Sequence, residues 1–167
     1  MSLVPFDLQD RLEESGWYLG RCVAVDNRVT AAHPAYSVLA KLGGLQMYRF
    51  IDSYEICEVD FQFIADKLPH TERWEVELGT ELIGFAEHHN GHGELLISAA
   101  GHVFGAGLVG PGFSYVGGTF QEALVNLATG IPFRPMLLEA DASVVLYGRT
   151  YTRGDPEVLH AMSPELR

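Results

Sequence analysis

The chain is poor in positive charge, in cysteine and in long apolar runs. Lys and Arg together number 11 of 167 residues against 22 Asp and Glu, for a net charge of -11. A field of that sign repels phosphate backbones, which argues against nucleic acid as a partner. The two cysteines, Cys22 and Cys57, stand too far apart for a Cys-x-x-Cys clip and read as thiols of a reducing compartment. No apolar run approaches the ~20 residues of a membrane span. No basic, apolar leader opens the sequence. The reading is a cytoplasmic protein without a membrane partner. Zinc-protease HExxH and nucleophile-elbow GxSxG spacings are missing too, so the motifs give no catalytic centre. The sequence sets no oligomeric state.

Apolar residues make up 47% of the chain, enough for one real core. The local grammar is that of an α+β domain. Leu8 and Leu12 share a face one turn apart, predicting a short helix over residues 7–15 with Gly16 past its end. Residues 22–25 read as extended or strand. Pro34 opens a second helix with Ala35, Val38, Leu39 and Leu42 on its buried stripe, stopped by Gly43-Gly44. Strands are expected over residues 45–51 and 54–63. In the latter, Cys57, Val59, Phe61 and Phe63 alternate inward and Glu58, Asp60 and Gln62 outward. Residues 71–78 suit a helix with Trp74 and Leu78 inward. A strand over 81–86, an Asn90-Gly91 turn, and strands over 94–98 and 102–104 follow. Thr119 and Glu122 form a capping box for a helix that closes at Gly130. Residues 131–167, broken by Pro132, Pro135 and Pro156, are expected to form an extension to a domain over 1–130, packed on it or trailing from it. Within the extension, only 144–147 looks strand-like.

Charge is concentrated between residues 52 and 94, where eleven carboxylates (Asp52, Glu55, Glu58, Asp60, Asp66, Glu72, Glu75, Glu77, Glu81, Glu87, Glu94) face two cations, Lys67 and Arg73. Such a field attracts basic partners; the plain alternative is a solvated face. Two other patterns invite chemistry. Glu87, His88, His89 and His92 are zinc-ligand types, but they crowd a turn tip, where side chains diverge. Gly105-Ala106-Gly107-Leu108-Val109-Gly110 fits a dinucleotide fingerprint, yet Pro111-Gly112 follows where a helix should open. It reads as a flexible glycine loop. No cofactor and no metal is assigned.

Taken in order, several segments resemble the SUKH superfamily, and within it the third subfamily of bacterial immunity proteins. They are Glu14-Ser15-Gly16-Trp17 with Gly20-Arg21; His33-Pro34 leading to Leu39-Ala40-Lys41-Leu42-Gly43-Gly44-Leu45; Gly79-Thr80-Glu81-Leu82-Ile83-Gly84; Leu95 to Phe104; and Thr119-Phe120-Gln121-Glu122-Ala123-Leu124 with Gly130. The similarity spans about residues 6–130. It implies a curved, mainly antiparallel sheet with packed helices, and a non-enzymatic protein that neutralises a cognate toxin of a polymorphic or contact-dependent system, often a nuclease or deaminase. Joined to the acidic stretch, it points to a basic toxin partner whose active site is occluded. The contact is expected at Tyr54, Glu55, Glu58, Asp60, Glu72, Glu75, Glu77 and Glu81. The alternatives are a small-molecule-binding or regulatory module using the sheet face and the glycine loop, and a metal-dependent hydrolase built on Glu87, His88, His89 and His92.

Overall fold

A computed structural model describes residues 3–51, 54–110 and 112–166. Asp52 of the acidic stretch and Pro111 of the glycine-rich segment lie outside them. The helices are α1 (Gln9–Glu14), preceded by a 3-10 turn over Phe6–Leu8, then α2 (Pro34–Leu42), α3 (Pro69–Leu78) and α4 (Phe120–Thr129). Their ends follow the sequence signals. The His33 ring accepts the Ala35 N–H at 3.2 Å and so caps α2. Pro69 starts α3, two residues earlier than the sequence reading. At α4, Thr119 Oγ1 accepts the Glu122 N–H at 3.1 Å. Glu122 Oε2 accepts from Gly118 at 2.9 Å, one residue beyond the position a standard capping box uses. Gly79 and Gly130 close α3 and α4 at φ +64° and +71°, a left-handed conformation that glycine adopts without a Cβ penalty.

Seven antiparallel strands form one sheet in sequence order: β1 (Gln46–Ile51), β2 (Tyr54–Ile64), β3 (Leu82–His88), β4 (Gly93–Ser98), β5 (Val103–Gly107), β6 (Phe113–Gly117) and β7 (Arg134–Pro135). Residues 22–25 join no strand; Val23 instead donates its N–H to Ala40 O at 2.8 Å. β3 runs two residues past its expected end, so the turn falls on His89, Asn90 and Gly91, all at positive φ. Asn90 Oδ1 accepts the Cys57 N–H at 2.8 Å and ties this turn to β2. The glycine segment corrects the sequence reading. Gly105 and Gly107 lie inside β5, not in a flexible loop, and a further strand, β6, follows.

The sheet is covered on both sides. On one side α1, α2 and α4 bury Leu12, Leu39, Leu42, Phe120 and Leu124 against Met47, Val59, Phe61, Phe85, Leu95 and Ile97. Full burial of such side chains contributes roughly 1.5–3 kcal/mol each. On the other, Trp74 of α3 meets Leu82, Leu96, Phe104 and Phe113, joined by Met136, Leu138 and Leu159. Those last residues belong to the segment after Gly130. It adds β7 to the sheet edge, and Leu137 N–H bonds Leu159 O at 3.0 Å. It then forms a separate hairpin of β8 (Ser143–Leu146) and β9 (Arg149–Thr152). No helix among the described residues is long and apolar enough to cross a membrane.

Candidate functional site

A bulge in β2 divides the carboxylates between the two sides of the sheet. Val59 pairs with Met47 but Cys57 pairs with Tyr48, leaving Glu58 as the extra residue. An inserted residue breaks strict alternation. Two expectations change as a result. Cys57 shares the side of Asp60 and not the core side of Val59 and Phe61. Glu58 is not on an open outer face. It is 4% exposed, turned toward the end of α4, and its Oε2 accepts from Arg49 Nε at 2.9 Å.

On the α3 side the register lines up Asp60, Glu87 and Glu94 on three neighbouring strands. Cross-strand partners stand about 4.5–5.5 Å apart at Cβ, and like charges so placed repel. Glu94 is buried, with Oε2 lacking a partner. Burial first, then the Glu87 charge, pushes its carboxyl above the usual range, while a hydrogen bond from the Leu68 backbone acts the other way. The Cys57 thiol is raised for the same reasons, burial foremost and then Asp60, Glu58 and Glu87. Asp60 remains half-buried and accepts from Gln46 Nε2 at 2.8 Å; Gln46 in turn accepts from Tyr48 OH at 2.6 Å.

The other expected contact residues fall in three places. Glu72 and Glu77 are exposed on α3, with Val76 between them 81% exposed, and Glu81 is exposed just after the helix. None of these three carboxylates has a salt bridge among the described residues. Glu75 is half-buried, bound to Lys67 Nζ at 2.6 Å and to the Leu82 N–H at 2.8 Å, so it holds α3 to β3. Tyr54 and Glu55 are exposed at the β1–β2 tip. At about 3.3 Å per residue they lie roughly 30 Å along β2 from Ile64 and the start of α3. The acidic set is therefore divided among the sheet (Asp60, Glu87), α3 and its end (Glu72, Glu77, Glu81), the β1–β2 tip (Glu55) and the opposite side of the sheet (Glu58).

On the α4 side lies a cleft of about 530 Å³ that the sequence did not disclose. It is lined by Gly105, Gly107 and Gly112 of the β5–β6 hairpin, by Leu127, Gly130 and Ile131 at the end of α4, and by a roof of Phe133, Leu146, Tyr147 and Tyr151 from the segment that follows. A Cβ on Gly105 would stand 3.0 Å from Ser114 Oγ and 3.3 Å from Phe133, so the absence of a side chain there is what admits the roof. Tyr147 OH accepts the Phe133 N–H at 3.2 Å. His88 sits beside Phe133 with ring centroids 5.5 Å apart. Burial, reinforced by His89 and His92, lowers its pKa to about 4, so the ring is neutral at pH 7. Of the four residues of the metal reading, His88, His89 and His92 all line this cleft, while Glu87 does not join them. Glu87 pairs with Asp60 on the far side of the strand; His89, exposed at the turn, and His92 sit at the cleft's edge, the His92 Nδ1 2.6 Å from His89 O. Among the described residues no group of three His, Cys, Asp or Glu is arranged to hold a metal. The signal for the cleft was present as glycines inside a strand pattern, but its roof comes from residues up to 46 positions away and no local pattern joins the two.

Compared with known proteins, the chain matches the family model described as SUKH-3 immunity protein over residues 4–130. No curated protein and no solved structure matches it.

Proposed function

Since the chain belongs to the SUKH-3 immunity protein family, we propose that it acts in the cytoplasm by binding a cognate protein toxin and occluding its active site, without catalysis of its own. The partner face is the acidic patch on the α3 side: Asp60 and Glu87 on the sheet, Glu72 and Glu77 on α3, and Glu81 after it. The observation that carries this reading is the row of Asp60, Glu87 and Glu94 on adjacent strands. Carboxylates so aligned are unfavourable for folding alone, and a cationic partner offsets the repulsion between Asp60 and Glu87, the two that are not buried. A nuclease or deaminase presents such a cation-rich groove to its nucleic-acid substrate, and charge complementarity speeds encounter and fixes register.

Val76, exposed between Glu72 and Glu77, supplies an apolar contact within the charged rim. Glu75 supports the face from within, through Lys67, while Glu58 lies on the opposite side of the sheet. Tyr54 and Glu55 make its outer edge. A standard interface of about 800 Å² per partner is roughly 30 Å across and reaches from α3 toward them.

The test is co-expression with the cognate toxin, sought among the products of the neighbouring genes. Rescued growth, with a toxin complex that co-elutes in gel filtration, supports the reading. Unrelieved toxicity with no complex rejects it.

A further inference from the structure

The cleft beside α4 is on the opposite side of the sheet from the acidic patch and plays no part in the proposed docking. Its shape and chemistry are nevertheless those of a binding site. A volume of about 530 Å³ lies inside the range of small-molecule sites, which are mostly apolar with a few convergent polar groups. Its lining includes the rings of Phe133, Tyr147 and Tyr151 and the side chains of Leu127, Ile131 and Leu146. An apolar space lined by several aromatic rings favours an aromatic ligand.

The polar end is the Arg49–Glu58 pair. The Glu58 side chain is 6% exposed and lines the cleft while giving one oxygen to Arg49 Nε at 2.9 Å. A carboxylate has acceptor capacity beyond one bond, so this end calls for an N–H or O–H donor. Arg49 already balances the charge, so an ionised ligand would bring an uncompensated charge into an apolar site. His88, held neutral, adds none at pH 7.

We propose that this cleft binds a neutral small molecule with a flat aromatic ring and an N–H or O–H donor, of the indole or phenol class, the donor directed at Glu58. The roof residues Phe133, Leu146, Tyr147 and Tyr151 lie beyond the family-matched segment, which ends at residue 130. The aromatic lining thus comes from the part of the chain outside the family match, and the polar end from within it.

The experiment titrates the full-length protein with indole and with 1-methylindole, which lacks the donor, following backbone amide shifts by NMR. Indole is expected to shift resonances of Gly105, Gly107, Leu127 and Phe133 saturably. 1-Methylindole should bind about tenfold more weakly, the loss of one hydrogen bond to a charged acceptor. Ile131→Trp, which fills the mouth, should abolish indole binding. Tyr147→Ala, at an exposed roof position, should weaken it and serves if the first variant does not fold. Reversing the α3 carboxylates should leave it unchanged, so this claim and the toxin-binding reading fail separately. Absence of saturable shifts, equal binding of 1-methylindole, or binding that survives both cleft variants overturns the proposal. So does loss of toxin affinity in Ile131→Trp without any indole binding, which would make the cleft a docking pocket for the partner.

Discussion

Trp74 of α3 stacks on Phe113 of β6, with ring centroids 4.5 Å apart and planes 12° from parallel. This contact holds the exposed carboxylates of α3 in a fixed position over the sheet. Trp74→Ala is expected to lower the unfolding free energy by about 3–5 kcal/mol, and Trp74→Phe by clearly less. Urea denaturation followed by circular dichroism measures both. Equal stability of wild type and Trp74→Ala would show that α3 is not held through this ring.

The Arg49–Glu58 pair predicts an asymmetry. Arg49→Met strands a buried carboxylate and should cost about 3 kcal/mol or more. The double variant Arg49→Met/Glu58→Leu should recover most of that loss. A double variant no better than Arg49→Met alone would contradict burial of the pair.

The histidines set an acid limit. His88 in the folded protein binds its proton only near pH 4, against about 6.5 when unfolded. Between these values the unfolded state holds more protons, so stability falls as pH drops from about 6.5 toward 4, by roughly 3 kcal/mol for this group at most. His33 and His70, also lowered by burial, act in the same direction. Glu94, raised by burial, opposes them as its range is crossed. Comparing His88→Phe with wild type isolates the one ring, and the acid slope should flatten. An unchanged slope would place His88 in water.

The segment after residue 130 completes the second core through Met136, Leu138 and Leu159. Met136→Ala and Leu159→Ala should each cost about 2–5 kcal/mol. Deletion of residues 131–167 should expose Trp74 and Phe113 and produce strong ANS fluorescence. A truncated chain as stable as the whole would contradict this packing.

Much of the frame was legible because its signals are local. Pro34, the Thr119–Glu122 cap and Gly130 each fix a helix end through bonds within a few residues. What escaped depended on partners far along the chain. The β2 bulge at Glu58 arises from the register with β1, and it moves Cys57 and Glu58 to the sides opposite those that simple alternation assigns. Gly105 and Gly107 suggested a loop because nothing near them in sequence reveals that Ser114 and Phe133 press on the same spot. The acidic stretch was visible as composition. Its division into ion-paired (Glu58, Glu75), buried (Glu94) and exposed (Glu72, Glu77, Glu81) members required the fold.

The most direct test of the account is calorimetric titration of the cognate toxin, once identified by co-expression, with the quadruple variant Asp60→Lys/Glu72→Lys/Glu77→Lys/Glu81→Lys, at low and at high salt, beside wild type. The account predicts tight, salt-sensitive binding by wild type and a loss of at least about a hundredfold in the variant, from four charge reversals at an electrostatically matched interface. Unchanged affinity with unchanged salt dependence would contradict it.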